Sequence, residues 1–170
     1  MEGKTIGIIG DGQLARMLID AGKSYNCDFK VLGKEDSICG DNLYIEGDFN
    51  NFNDIMRLSE VCDVITYDLE NVNVEALKQI AEKVIPHPLN LEKIQSKIKQ
   101  HHFYVSHNLK VPKGGDFDDV GDEYVTSGED FILKCDRGGY NGKGVFTTKG
   151  KNFTIGPNDK YLVQEKIDID

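Results

Sequence analysis

Apolar and polar positions follow two different rhythms along this chain. Residues 5–9, Thr-Ile-Gly-Ile-Ile, form a short β-branched run that reads as a strand. Behind it Leu14, Met17, Leu18 and Ala21 recur at helical spacing, and Gly22 suits a helix end. Residues 28–33 read as the next strand. Residues 51–62 read as a helix with Asn51 or Asn53 as its cap, leading into a strand over 63–68. An amphipathic helix follows over 72–83, then a short final strand, Val-Ile-Pro-His-Pro, over 84–88. Strands alternating with helices at this pitch predict an α/β fold, a Rossmann-like open parallel sheet with helices on both faces.

The rhythm changes after that. Residues 89–109 read as one linking helix with Ile94, Ile98, Val105 and Leu109 inward, and Pro112 closes it. Residues 113–130 are acidic, glycine-bearing and without visible periodicity, so they read as an exposed loop. Three strands, 131–135, 144–150 and 161–167, complete a small strand-rich module. The predicted organisation is a domain over 1–88, a linking helix over 89–111 and a reduced module over 112–170. A module of about sixty residues has a marginal core of its own.

The 170 residues are 39% hydrophobic and 29% charged, as in ordinary globular proteins. A net charge of −9 gives a nucleic-acid partner no electrostatic support, although a few amides and lysines can still make a local anion site. Cys27, Cys39, Cys62 and Cys135 lack metal-ligand spacing and read as reduced, buried thiols. No apolar stretch reaches membrane-spanning length, and the first residues enter a glycine turn too early for a signal peptide. A cytoplasmic protein with no membrane partner is expected.

Three stretches carry candidate chemistry. Residues 10–15, Gly-Asp-Gly-Gln-Leu-Ala, form a G-x-G-x-x-A turn whose amides attract an anion at a helix start. With Gly10, Gly12 and the acids Glu35 and Asp36, a dinucleotide cofactor is one reading; glycines serving only packing is another. Residues 67–72, Tyr-Asp-Leu-Glu-Asn-Val, put acids at the carboxyl end of a strand. Glu70 could bind a sugar or amine there, or Asp68 or Glu70 could cap the following helix. Third, Lys134 precedes Arg137, Gly138, Gly139, Gly142, Lys143 and Gly144. Four glycines with two cations, after a lysine on a strand, favour a nucleotide phosphate over a plain hairpin turn. His101, His102 and His107 fall on different helix faces and read as a solvated surface.

The order of these motifs, together with Pro88 to Gln95, resembles the 5-(carboxyamino)imidazole ribonucleotide synthetase family of the ATP-grasp superfamily. The resemblance runs over the whole chain and implies a pre-ATP-grasp domain followed by a shortened small ATP-grasp subdomain. It implies a ligase of purine biosynthesis in which ATP activates bicarbonate to carboxylate aminoimidazole ribonucleotide, giving ADP and phosphate. Gln13, Leu14 and Glu70 would contact the ribonucleotide, and Lys97 and Lys134 the ATP. Gly139, Tyr140, Asn141, Gly142, Lys143, Gly144 and Val145 would form the loop over the phosphates. Gln164, Glu165, Lys166 and Ile167 would lie along the adenine.

Some positions depart from the family's pattern. Gln164 stands where an acid is usual, Lys97 replaces an arginine, and Asp68 and Leu69 replace a glutamate and an aromatic. Residues 117–130 and 149–160 read as too short or too polar to hold the small subdomain's usual helices. The Mg²⁺ ligands and the second half of the ATP site would lie beyond residue 170, so a C-terminal ATP-grasp half or a homodimer partner is implied and turnover by these residues alone is not expected. No residue of the chain is thereby singled out as catalytic. A non-catalytic nucleotide-binding or scaffold module and a dinucleotide binder are the alternatives.

Overall fold

The computed structural model describes residues 3–34, 43–138, 144–148 and 159–167. The chain divides into two compact units, residues 1–92 and 93–170.

In the first unit, β1 (Thr5–Ile9), β2 (Asp28–Gly33), β3 (Tyr44–Glu46) and β4 (Val64–Tyr67) form one sheet in the order β3-β2-β1-β4. Every pair is parallel, with Ile8 opposite Val31 and Thr66, and Ile9 opposite Leu32 and Tyr67. Parallel strands need crossovers: α1 (Gln13–Gly22) connects β1 to β2 and α2 (Phe52–Glu60) connects β3 to β4, while α3 (Val74–Gln79) follows the last strand. Because side chains alternate along a strand, the sheet has two apolar faces. Ile8, Val31 and Phe29 pack with Ala15 and Ile19 of α1. Ile9, Leu32 and Ile65 pack on the other face with Ile55, Leu58 and Leu77 of α2 and α3. This is the doubly wound arrangement expected from the alternation.

Local capping explains where these helices start. Asn51 accepts from the N–H groups of Asn53 and Asp54, and Asn73 accepts from that of Ala76. Neither Asp68 nor Glu70 caps α3; Asn73 does. The face of α1 also differs from expectation. Ala15 and Ile19 are inward, whereas Leu14 (56% exposed), Met17, Leu18 and Ala21 face out. Val84 makes only an isolated bridge with Ile65, so residues 84–88 are not a strand.

Residues 89–109 are two helices, not one. α4 (Pro88–Ile94) stops before Ser96, and α5 (Lys97–Ser106) starts with Ser96 as its cap, accepting from Lys99 N–H. The break changes the phase: Leu91 and Ile98 are buried, while Ile94, Val105 and Leu109 are exposed.

In the second unit, β5 (Gly114–Asp116), β6 (Phe131–Cys135), β7 (Val145–Thr147) and β8 (Tyr161–Glu165) form an antiparallel sheet in the order β5-β8-β6-β7. Between β5 and β6 lies a helix, α6 (Phe117–Ser127). This corrects the reading of 113–130 as a loop without room for a helix. Asp116 accepts from Asp118 N–H to cap its start, and Gly128 in the left-handed region ends it. Phe117, Val120 and Tyr124 form its apolar stripe and cover Phe131, Leu133 and Val163. The acids of 118–123 hid a three-residue stripe that is wide enough only because the sheet is small. No helix among the described residues is long and apolar enough to cross a membrane.

Candidate functional sites in the two units

In the first unit, β1 is flanked by β2 on one side and β4 on the other, so the chain reverses direction of travel across the sheet between β1 and β4. Ligands of open parallel sheets bind at such a point, beyond the carboxyl ends of the strands. Gly10–Gly12 leaves β1 there, and Asp68–Glu70 leaves β4. Gln13 and Leu14, exposed on the first turn of α1, and the exposed Glu70 therefore belong to loops of neighbouring strands.

Asp68 organises this end of the sheet. The cap of α1 is Gly12, which has no side chain to offer. Asp68 supplies the missing acceptor from 53 residues away, its Oδ2 taking the Ala15 N–H at 3.1 Å. Gly10 makes the contact possible: its φ is +114°, and a Cβ there would lie 1.7 Å from Asp68 Oδ1. Asp11 ties the loop to β2, its carboxylate accepting the Lys34 N–H at 2.7 Å. The other Asp68 oxygen, Oδ1, is buried and has no hydrogen-bond partner. Burial raises the Asp68 carboxyl above the usual aspartate range, and the neighbouring Asp11 charge adds to the rise.

A raised carboxyl has a definite linkage sign. The folded unit binds the Asp68 proton more tightly than the unfolded chain does. Its contribution is full below the ordinary aspartate pKa and is lost as pH rises through the raised folded value. Asp68→Asn should remove that component from the pH dependence of thermal unfolding above the ordinary aspartate pKa. Parallel pH profiles for the two proteins would refute the assignment.

In the second unit a cavity of about 290 Å³ is lined by Lys97, Gln100, His101, Tyr104, Lys134 and Gln164, with Val111, Pro112 and Leu162 as its apolar walls. Strand register creates it. Lys134 pairs with Leu162, and Ile132 with Gln164, so Lys134, Leu162 and Gln164 share the sheet face opposite the one α6 covers. Lys97 reaches the cavity from the first position of α5. That position is fixed by Asp136, just after β6: its Oδ1 accepts from Ser96 Oγ at 2.6 Å and from Ile98 N–H at 3.0 Å, and its carbonyl accepts from Lys97 N–H at 3.0 Å.

Two lysines from separate elements thus face one cavity with no acid among its described lining residues, in a chain of net charge −9. Lys134 Nζ donates to Gln164 Oε1 at 2.7 Å. Burial, reinforced by Lys97, holds Lys134 below the usual lysine range. Such a site favours an anion, which would relieve both costs.

The remaining predicted residues fall around this cavity's strands. Gly144 has φ +82° and its carbonyl accepts from Cys135 N–H at 2.7 Å; Val145 pairs with Lys134. Glu165 ends β8, its N–H donating to the Lys113 carbonyl and its Oε1 accepting from the Lys113 N–H, and Lys166 and Ile167 follow the strand. Gly139, Tyr140, Asn141, Gly142 and Lys143 lie outside the described residues, as do Glu35, Asp36 and Cys39. Among the described cysteines, Cys62 is buried and Cys27 and Cys135 are partly so, all as free thiols.

His101 corrects the reading of the histidines as a solvated face. It is buried, with its ring nitrogens on Gly114 O and the Gln164 amide. No local pattern marks Asp136 as the residue that seats α5, or Asp68 as the acceptor at the start of α1. The alternation Leu162-Val163-Gln164 held a signal, because a polar residue in phase with Leu162 must share its face. The register against Lys134 supplies the rest.

The family model for the ribonucleotide synthetase preATP-grasp domain matches residues 3–95. Over 165 residues the chain is 31% identical to phosphoribosylaminoimidazole carboxylase of Saccharomyces cerevisiae, covering 89% of this chain and 29% of that protein. The crystal structure of N5-carboxyaminoimidazole ribonucleotide synthetase from Thermotoga maritima is 31% identical, with a TM-score of 0.81 over 98% of this chain and 47% of its own. That of N5-carboxyaminoimidazole synthetase from Staphylococcus aureus, complexed with ADP, is 26% identical with a TM-score of 0.85, covering 99% and 49%. The chain therefore spans under a third of the yeast protein and about half of the bacterial ones. With its parallel sheet, glycine turn and second antiparallel sheet, it belongs to the ribonucleotide synthetase preATP-grasp domain family and corresponds to the N-terminal part of N5-carboxyaminoimidazole ribonucleotide synthetases.

Proposed function

We propose that these residues form the ribonucleotide- and ATP-holding portion of a carboxylating ligase of purine biosynthesis, which converts aminoimidazole ribonucleotide, bicarbonate and ATP to 5-(carboxyamino)imidazole ribonucleotide, ADP and phosphate. The observation that carries the reading is the pairing of Lys97 and Lys134 at a cavity with no acid among its described lining residues. The ADP bound by the Staphylococcus aureus relative supports a nucleotide as its anion.

In this reading Lys97 and Lys134 neutralise phosphate charge, and Gly139 to Val145 lie over the phosphates. Gln164 to Ile167 lie along the base; since the sheet ladder ends at Glu165, the backbone offered to the adenine edge is that of Lys166 and Ile167. Gln13, Leu14 and Glu70 take the ribonucleotide at the β1–β4 end of the first sheet. A cytoplasmic setting belongs to the same reading.

Magnesium accompanies ATP in such chemistry, but the residues described do not fit it. No group of three or more His, Cys, Asp or Glu side chains able to hold a metal occurs among them, and the described lining of the cavity carries Lys97 and Lys134 but no carboxylate. We place the metal ligands outside the described residues. The same observation favours a second reading, a module that binds nucleotide without turnover.

Calorimetric titration with ATP, and separately with aminoimidazole ribonucleotide, tests both. Binding of each, with carboxylation appearing only on addition of a C-terminal ATP-grasp half, supports the ligase. Binding without activity in any such mixture supports the module. Failure of both ligands to bind removes the proposal.

A further inference from the structure

We propose that His101 is a positioning residue for Lys134, acting through the Gln164 side chain. The inference deepens the reading of this cavity as the nucleotide site and rests on it. Three contacts form one line: Lys134 Nζ to Gln164 Oε1 at 2.7 Å, Gln164 Nε2 to His101 Nδ1 at 3.2 Å, and His101 Nε2 to Gly114 O at 3.0 Å.

The chemistry of the two ends fixes everything between them. An ammonium can only donate, so the Gln164 oxygen must face Lys134 and its NH₂ must face His101. A carbonyl can only accept, so His101 Nε2 must carry the hydrogen and donate to Gly114. Nδ1 is then the bare nitrogen that receives the Gln164 N–H. One amide orientation and one neutral tautomer satisfy all three contacts. Any other leaves a donor facing a donor or an acceptor facing an acceptor, between two side chains each 5% exposed.

The arrangement holds Lys134 without neutralising it. A carboxylate at 164 would bind the ammonium more tightly but cancel its charge. A neutral amide directs one N–H and leaves two N–H donors and the full charge for an anion. His101 locks that amide, and β5 locks His101 through Gly114. Since Gly114 itself pairs with Gln164 on β8, the line closes within one sheet and one helix.

The test is a double-mutant cycle on the 170-residue chain, read as affinity for a non-hydrolysable ATP analogue. His101→Phe should weaken binding about tenfold, the effect of misdirecting one charge-assisted hydrogen bond. In a Lys134→Ala background the same substitution should cost nothing further. Equal losses in both backgrounds would show that His101 acts through general structure and overturn the proposal. His101→Gln, whose carbonyl can accept from the Gln164 amide, should recover most of the affinity; no recovery counts against it. If His101→Phe does not fold, His101→Gln and Gln164→Met carry the cycle.

A second readout needs no nucleotide. The ¹⁵N shift and hydrogen exchange of the Lys134 ammonium, followed by NMR, should move toward solvent-like values in His101→Phe. No movement overturns the positioning role. If the analogue fails to bind the unsubstituted chain while the ammonium signal still responds to His101, the nucleotide reading falls and the positioning role stands.

Discussion

Replacing Lys134 by alanine is expected to weaken ATP binding about a hundredfold and leave the affinity for aminoimidazole ribonucleotide unchanged. A charged hydrogen-bond partner in a partly desolvated site is worth about 3 kcal/mol, and each 1.4 kcal/mol is a factor of ten. The second ligand is unaffected in this reading because Gln13, Leu14 and Glu70 lie in the other compact unit. The fold should tolerate the change. Burial and Lys97 already disfavour the Lys134 ammonium in the unliganded protein, so its removal relieves a cost as well as losing the Gln164 contact. Calorimetry with both ligands on one variant provides the check. Equal losses for the two ligands, or no loss for ATP, would remove Lys134 from the nucleotide site.

Gly10→Ala should unfold the first unit by the largest margin of any single methyl added to the glycine turn. Its φ of +114° lies where a Cβ is strained whatever the space, and that Cβ would meet Asp68 Oδ1 at 1.7 Å and Leu69 at 2.6 Å. Displacing Asp68 also uncaps α1 at Ala15. Strain, collision and the lost cap together set an expectation of about 3 kcal/mol or more, on the order of 12 °C in the unit's Tm. Gly12→Ala is the internal control. Gly12 has an ordinary φ of −87°, and its nearest neighbour is 4.0 Å from an added Cβ, so a change within about 1 kcal/mol is expected. Thermal unfolding of the pair decides. Similar Tm values for both variants would mean that the turn relaxes around the new methyl and that Gly10 is not what seats Asp68.

Ligand-linked stabilisation would separate the two units further. A ligand that binds only the folded state raises stability with its concentration. ATP should therefore protect the amides of β6 and β8, and the ribonucleotide those of β1 and β4, in hydrogen exchange.

Short-range physics is legible in the sequence. The β-branched run at 5–9, the glycine turn behind it, the strand at 28–33 and the cap at Asn51 depend on neighbours a few residues away, and the alternation of strand and helix implied a doubly wound parallel sheet. Long-range choices were not readable. α1 offers two apolar stripes, and only packing against Ile8 and Val31 selects Ala15 and Ile19 over Leu14, Met17 and Leu18. α6 is too acidic to announce itself, and its helix is decided by the sheet that needs Phe117, Val120 and Tyr124. Ser96 splits what reads as one helix because Asp136, 40 residues on, bonds its hydroxyl. The sequence by itself determined β1, β2, β4, β6 and the first-unit helices, the glycine turn and the residue types of both sites. The tertiary structure decided which side chains meet: Asp68 with the start of α1, and Lys134 with Gln164 and His101. Strand register and sequence-distant hydrogen bonds set those meetings, and no local preference encodes either.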